Sequence, residues 1–167
     1  MTNSNNPLRG TIAFKLWVGL ALLVLVIDQL TKVVTLGMLT ENTSKPILSF
    51  LNWVLVYNPG AAFSFLANSG GWQKWFFIGI GSIAAVVLII LIKRHSHQNM
   101  FAFSLSMILG GAVGNVIDRF RYGAVVDFID VFYQQYHWPA FNIADSAITL
   151  GTVLLIIDEI RRATRHR

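Results

Sequence analysis

The 167 residues are 54% hydrophobic and only 13% charged, too apolar for an ordinary soluble domain and the right length for a few membrane spans. Cysteine is absent, which excludes thiol nucleophiles, thiolate metal sites and disulfide-stapled folds together. The formal net charge of +5 raises nucleic acid or anionic lipid as partners, and the placement of charge along the chain decides between them.

Residues 1–7, MTNSNNP, read as a short disordered tail. Arg9 and Lys15 then precede an apolar run, Leu16 to Ile27, as in a signal peptide. Asp28 and Lys32 stand where a small-residue cleavage site belongs, so the segment reads as an uncleaved first span, Leu16 to Leu36. In the long loop that follows, SFLNWVLVYN at 49–58 alternates and is rich in β-formers before the turn-like NPG at 58–60, which predicts a small outer β-structure. Trp75 to Ile92 and Met100 to Ile117 carry no charge and each has the 18 residues that cross a bilayer core. Between them His95 and His97 lie in a basic loop without a partner acid, so no metal site is expected. VVDFIDV at 125–131 suits a short interfacial helix or a strand, and any acid in it can face water. Ala140 to Ile157, interrupted by Asp145, is the fourth expected span.

Eight basic residues (Arg9, Lys15, Lys93, Arg94, Arg161, Arg162, Arg165, Arg167) fall before the first span, between the second and third, or after the fourth; with Asp158 and Glu159 that side has net charge +6. The remaining five basic and six acidic residues give −1. By the positive-inside rule both termini are cytoplasmic, and the +5 is an orientation signal, with nucleic acid not expected as a partner. Trp53, Trp72, Trp75, Tyr133, Tyr136 and Trp138 all fall on the outer side, where such rings anchor to headgroups.

With this topology the intramembrane polar residues gather at the outer ends of three helices. Asp28 and Lys32 are four apart, Asn115 and Asp118 three apart, and Asn142 and Asp145 three apart, so each pair shares a helix face. A carboxylate at a span centre costs about 2.5–3.5 kcal/mol on insertion scales, which marks such acids as functional by default. Each also has a plainer reading. Asp28 and Lys32 form an intrahelical ion pair that lowers the cost of burying either; Asp118 is followed by Arg119 and reads as a paired interfacial acid; NIAD at 142–145 reads as an Asn cap with an acid at the third helical position. Capping and catalysis are compatible for Asp145, and spacing does not choose the working pair among the outer acids. His137 lies near them as a further proton carrier with nothing specific in its favour. GGAVGN at 110–115 sets Gly110 and Gly114 on a small-xxx-small face suited to close helix packing; no strand or P-loop lysine accompanies it as phosphate binding requires.

These residues resemble the bacterial lipoprotein signal peptidase family, also called signal peptidase II, over essentially the whole chain. The resemblance rests on DQLTK at 28–32, YNPGAAFSFL at 57–66, GGAVGNVIDR at 110–119, VVDFID at 125–130 and FNIADSAI at 141–148. It implies an intramembrane aspartyl endopeptidase that cleaves the signal peptide from diacylglyceryl-modified prolipoproteins. Asp127 and Asp145 match its catalytic aspartates, and Asn58, Asn115, Arg119 and Asn142 its substrate-contacting residues. Asp28, Lys32 and Asp118 match motif positions of a supporting kind. No metal or cofactor is implied, and the expected assembly is a monomer in the bacterial inner membrane with its site near the extracytoplasmic face. The loop before the second span and the segment around Asp127 resemble that family's extracytoplasmic β-cradle and flap-like helix. The expected fold class is an all-α membrane protein in one domain, 1–167, with four transmembrane helices at about 14–36, 72–92, 100–118 and 140–160, a small extracytoplasmic β-structure and a short interfacial helix.

The rival from another class is a small proton-coupled transporter subunit, since acids in spans also mark proton paths. It needs polar residues through the full depth, and Leu16–Leu25, Val86–Ile92 and Thr152–Ile157 offer no relay. A non-catalytic scaffold predicts that Asp127 and Asp145 are dispensable. The GxGD signature of other aspartyl intramembrane proteases is absent.

Overall fold

The computed structural model describes residues 7–60 and 71–165. Residues 1–6 and the stretch 61–70, which holds most of the YNPGAAFSFL motif, lie outside the described residues. In chain order the elements are α1 (Pro7–Met38), β1 (Ser44–Leu48), β2 (Leu51–Asn58), α2 (Gln73–Arg94), α3 (Asn99–Tyr122), β3 (Val125–Tyr133), β4 (Tyr136–His137) and α4 (Ile143–Arg165). Pro7, expected in the tail, is instead the first residue of α1, where its fixed φ and missing N–H cost nothing.

Among the described residues three helices are long and apolar enough to cross a membrane: Gly10–Met38 within α1, then α2 and α3. At 1.5 Å per residue the 22 residues of α2 span roughly 33 Å, just more than a hydrocarbon core of about 30 Å. α4 has 23 residues, but Asp145 near its start and Asp158, Glu159, Arg161 and Arg162 near its end confine the charge-free run to 146–157. Large apolar side chains cover the helix surfaces, and several charged and polar groups are buried among the helices, unlike in a soluble domain. Leu22, Val26, Leu30 and Val33 of α1 and Ile83 and Val86 of α2 are exposed, whereas Asp28, Lys32, Asp118 and Asn142 are shut in completely.

α3 lies against α1, α2 and α4. Its glycine face does what the spacing predicts: a Cβ on Gly110 would stand 2.5 Å from the carbonyl oxygen of Ala21, and one on Gly114 2.5 Å from Asp28 Oδ2. Only hydrogen at these two positions lets α1 approach so closely. Ala21, Ile92, Leu105 and Leu109 form the buried apolar cluster where α1, α2 and α3 meet.

The strands form one antiparallel sheet in the order β1-β2-β3-β4. β2 covers most of the predicted 49–58 segment, and its partner β3 is the segment around Asp127. The short interfacial helix implied there is therefore corrected to a strand, and among the described residues no other short helix takes its place. The cause is composition and a waiting edge: Val125, Val126, Ile129 and Val131 are β-branched, Phe128, Phe132 and Tyr133 aromatic, and β2 offers free backbone groups. Leu39, Leu55 and Val126 pack together and fix this sheet to the end of α1.

Candidate active site

Strand alternation separates the two acids of VVDFID. Asp127 and Asp130 are an odd number of residues apart and point to opposite faces. Asp130 turns to Asn52 Nδ2, at 2.8 Å, and to His137 Nδ1, at 2.9 Å. That contact, with the His137 ring stacked on Phe132, directs the histidine to Asp130 and not to the other outer acids. Asp127 turns inward, 2% exposed.

The chain returns to Asp127 through a single bridge. Phe141 exchanges backbone hydrogen bonds with Ile129 at 2.9 and 3.0 Å, which pins the next residue, Asn142, beside β3 just ahead of α4. Asn142 then serves two masters. Its Oδ1 accepts the N–H of Asp145 at 2.9 Å while Asp145 Oδ2 accepts the N–H of Asn142 at 3.3 Å, the reciprocal cap that NIAD predicts. Its Nδ2 donates to Asp127 Oδ1 at 2.7 Å and to the carbonyl of Val126 at 3.2 Å. Two further amides complete the set: Asn58 Nδ2 donates to Asp127 Oδ2 at 3.2 Å, and Asn115 Nδ2 to Asp145 Oδ1 at 2.8 Å. The three asparagines that the resemblance gives to substrate are thus bonded to the carboxyl groups. Asn58 and Asn115 also line the cavity described below, whereas Asn142 is fully buried with both amide atoms engaged.

Asp127 and Asp145 line one cavity of about 1140 Å³ with Asn58, Asn115 and Arg119 around them. Its far wall is apolar and runs down α4 through Ile148, Leu150 and Val153. Burial first, and then the neighbouring charge of Asp145, push the Asp127 carboxyl up to about 7, against hydrogen bonds from Asn58 and Asn142 and the positive charge of Lys32. An Asp127 carboxyl that still holds a proton near neutral pH therefore shares the cavity with the half-buried Asp145, an arrangement suited to acid/base chemistry.

Arg119 reaches the same space. Its Nη2 donates to the carbonyl of Gly60 at 2.8 Å, its Nη1 to that of Asn115 at 3.3 Å, and its guanidinium lies 4.8 Å from the Phe77 ring centroid. Nε is buried with no partner among the described residues. Asp118 does not pair with Arg119. It is fully buried with Oδ2 2.7 Å from Lys32 Nζ, because adjacent residues on a helix point about 100° apart and Asp118 faces α1. Lys32 also meets Asp28 at 2.8 Å, the predicted intrahelical pair, and Asn115 Oδ1 at 3.3 Å. Two residues with no expected role also belong to the site: Gln29, whose Nε2 donates to Asp118 Oδ1 at 2.9 Å, and Phe77, which packs against Arg119. The signal for Gln29 was an uncharged amide inside a span, where polar side chains face the protein interior.

The family model described as signal peptidase (SPase) II matches residues 20–161. The chain belongs to the signal peptidase II family. A lipoprotein signal peptidase of Cupriavidus necator is 58% identical over 97% of this chain and 92% of its own, and one of Ralstonia nicotianae 57% identical over 89% and 86%. A bacterial membrane enzyme solved by the in meso method at 2.3 Å has the same fold with a TM-score of 0.83, at 31% identity over 92% of both chains. Membership makes the protein a peptidase and a multi-pass membrane enzyme, and sets the transporter reading aside.

Proposed function

We propose that this peptidase cleaves the signal peptide from prolipoproteins whose cysteine carries a diacylglyceryl group, using Asp127 and Asp145 as an aspartyl pair. The observation that carries the reading is Asn142, which holds the Asp127 carboxyl while capping the helix that presents Asp145. Asp145, ionised at a helix N-terminus, takes a proton from water as that water attacks the scissile carbonyl. Asp127, protonated, donates a hydrogen bond to the oxygen on which negative charge develops. As the tetrahedral intermediate collapses the C–N bond breaks, the leaving amine takes up one proton from the pair, and one proton stays shared between the carboxyls. Two carboxyls and a water suffice for these steps.

α4 is the fourth span in this reading, with Leu150, Val153 and Ile156 exposed along its charge-free stretch. Both termini are cytoplasmic, and the site opens toward the extracytoplasmic leaflet of the inner membrane, where a lipidated cysteine resides. The apolar α4 wall of the cavity suits the signal helix or acyl chains, and Asn58, Asn115 and Arg119 at the polar end suit the extended backbone around the cleaved bond. The enzyme acts as a monomer. Incubating the purified protein in lipid with a prolipoprotein, with and without its diacylglyceryl group, tests the reading by mass spectrometry. Cleavage directly before the lipidated cysteine is expected; equal cleavage of both substrates would remove the lipid requirement.

A further inference from the structure

Two backbone amides tie the buried charges to the active site. Asp28 Oδ1 accepts the N–H of Ala144 at 2.9 Å, and Asp118 Oδ2 accepts the N–H of Val126 at 3.1 Å. Ala144 directly precedes Asp145, and Val126 directly precedes Asp127. Lys32 lies between the two acceptors, 2.8 Å from Asp28 and 2.7 Å from Asp118, and Gln29 Nε2 spans the same two carboxylates at 3.2 and 2.9 Å. Asp28, Lys32 and Asp118 are at most 1% exposed, and none of them lines the cavity.

Stability alone is a poor reason for such a group, because replacing buried ion pairs by apolar residues of similar volume is often neutral or stabilising. The pairing of partners is more informative. The amide of Ala144 is in the first turn of α4, among those a helix leaves without an internal acceptor, and a side chain from α1 takes it. We propose that Asp28, Lys32 and Asp118 are a positioning unit for the catalytic pair. Asp28 fixes the residue before Asp145, Asp118 fixes the residue before Asp127, and Lys32 holds the two anchors together, so the separation of the reacting carboxyls is set from beneath the site. The inference rests on Asp127 and Asp145 being the catalytic pair. A displacement of about 1 Å in such a pair costs on the order of 100-fold in rate.

The test uses the full chain in lipid nanodiscs, a diacylated prolipoprotein, and separate measurement of kcat, KM and thermal unfolding. Asp28→Leu and Asp118→Leu remove the acceptor; Asp28→Asn and Asp118→Asn keep a carbonyl oxygen for the amide. The Leu variants are expected to lose about 100-fold in kcat with KM within about 3-fold, and the Asn variants to recover to within about 10-fold of wild type. Equal losses in the Leu and Asn variants, or a rise in KM at unchanged kcat, would overturn the proposal. If the Leu variants do not fold, Gly114→Ala decides: its Cβ would stand 2.5 Å from Asp28 Oδ2 and must shift that carboxylate. About a 10-fold loss of kcat at constant KM supports positioning, and wild-type kcat overturns it. Asp127→Asn and Asp145→Asn run in parallel. Full cleavage by either defeats the catalytic-pair reading itself, while inactive Asn variants beside fully active Leu variants defeat only the positioning unit.

Discussion

Asn58→Ala perturbs a single hydrogen bond to the Asp127 carboxyl and has a readable consequence. Asn58 Nδ2 donates to Asp127 Oδ2 at 3.2 Å, a contact that favours the ionised form and therefore lowers a pKa that stands at about 7. Hydrogen bonds to charged groups contribute about 1.5–3 kcal/mol, and 3.2 Å is long beside the usual 2.7–2.9 Å, which places this one near the lower end. Its removal therefore raises the Asp127 pKa above that value of about 7. Asn142 keeps its own bond at 2.7 Å, so the carboxyl stays in place. The active form of the pair carries one proton, so activity falls as pH rises through the Asp127 value. Wild-type kcat/KM, which reports the free enzyme, is expected to decline around pH 7 and that of the variant at higher pH, whatever the change in maximal rate. A bond of about 1.5 kcal/mol corresponds to roughly a tenfold change in an equilibrium constant, so well up the alkaline limb the variant retains up to roughly ten times more of its own maximum than wild type does of its own. The assay is the pH profile of kcat/KM for a diacylated prolipoprotein in nanodiscs. An alkaline limb that stays in place, or moves down, would refute the assignment of the shared proton to Asp127.

Two further substitutions probe the cavity rim and the helix packing. Arg119→Ala removes the donor to Gly60 and the contact with Phe77; weaker processing, chiefly through a higher KM, is expected with thermal unfolding little changed, and unchanged turnover would count against a role at the site. Gly110→Val places a branched side chain against the Ala21 carbonyl and Val24, an overpacking that costs about 1–3 kcal/mol and is read as a lowered unfolding temperature.

Two of the four expected spans were directly legible because long charge-free runs leave a bilayer-spanning helix few alternatives, and α2 and α3 extend Trp75–Ile92 and Met100–Ile117 by only a few residues. Local chemistry was legible too: NIAD predicts the cap at Asn142, and the four-residue spacing predicts the Asp28–Lys32 pair. What spacing left open was any contact between distant segments. Asp127 and Asp130 could not be separated until VVDFID was known to be a strand, since only then does parity send them to opposite faces. The identity of Asp118's partner depended on how α1 lies against α3, a matter of two glycines and a crossing that no local period encodes. The same limit hid the dual use of Asn142, whose cap is local and whose bond to Asp127 is not.

The central claim is that Asp127 and Asp145 act together, and the most direct measurement is single-turnover cleavage of a diacylated prolipoprotein by purified wild type, Asp127→Asn and Asp145→Asn. Both variants keep the size of the side chain and a carbonyl acceptor, so folding and substrate binding are expected to persist while the cleavage rate falls at least roughly 100-fold in each. Substantial cleavage by either variant, with binding intact, would contradict the account.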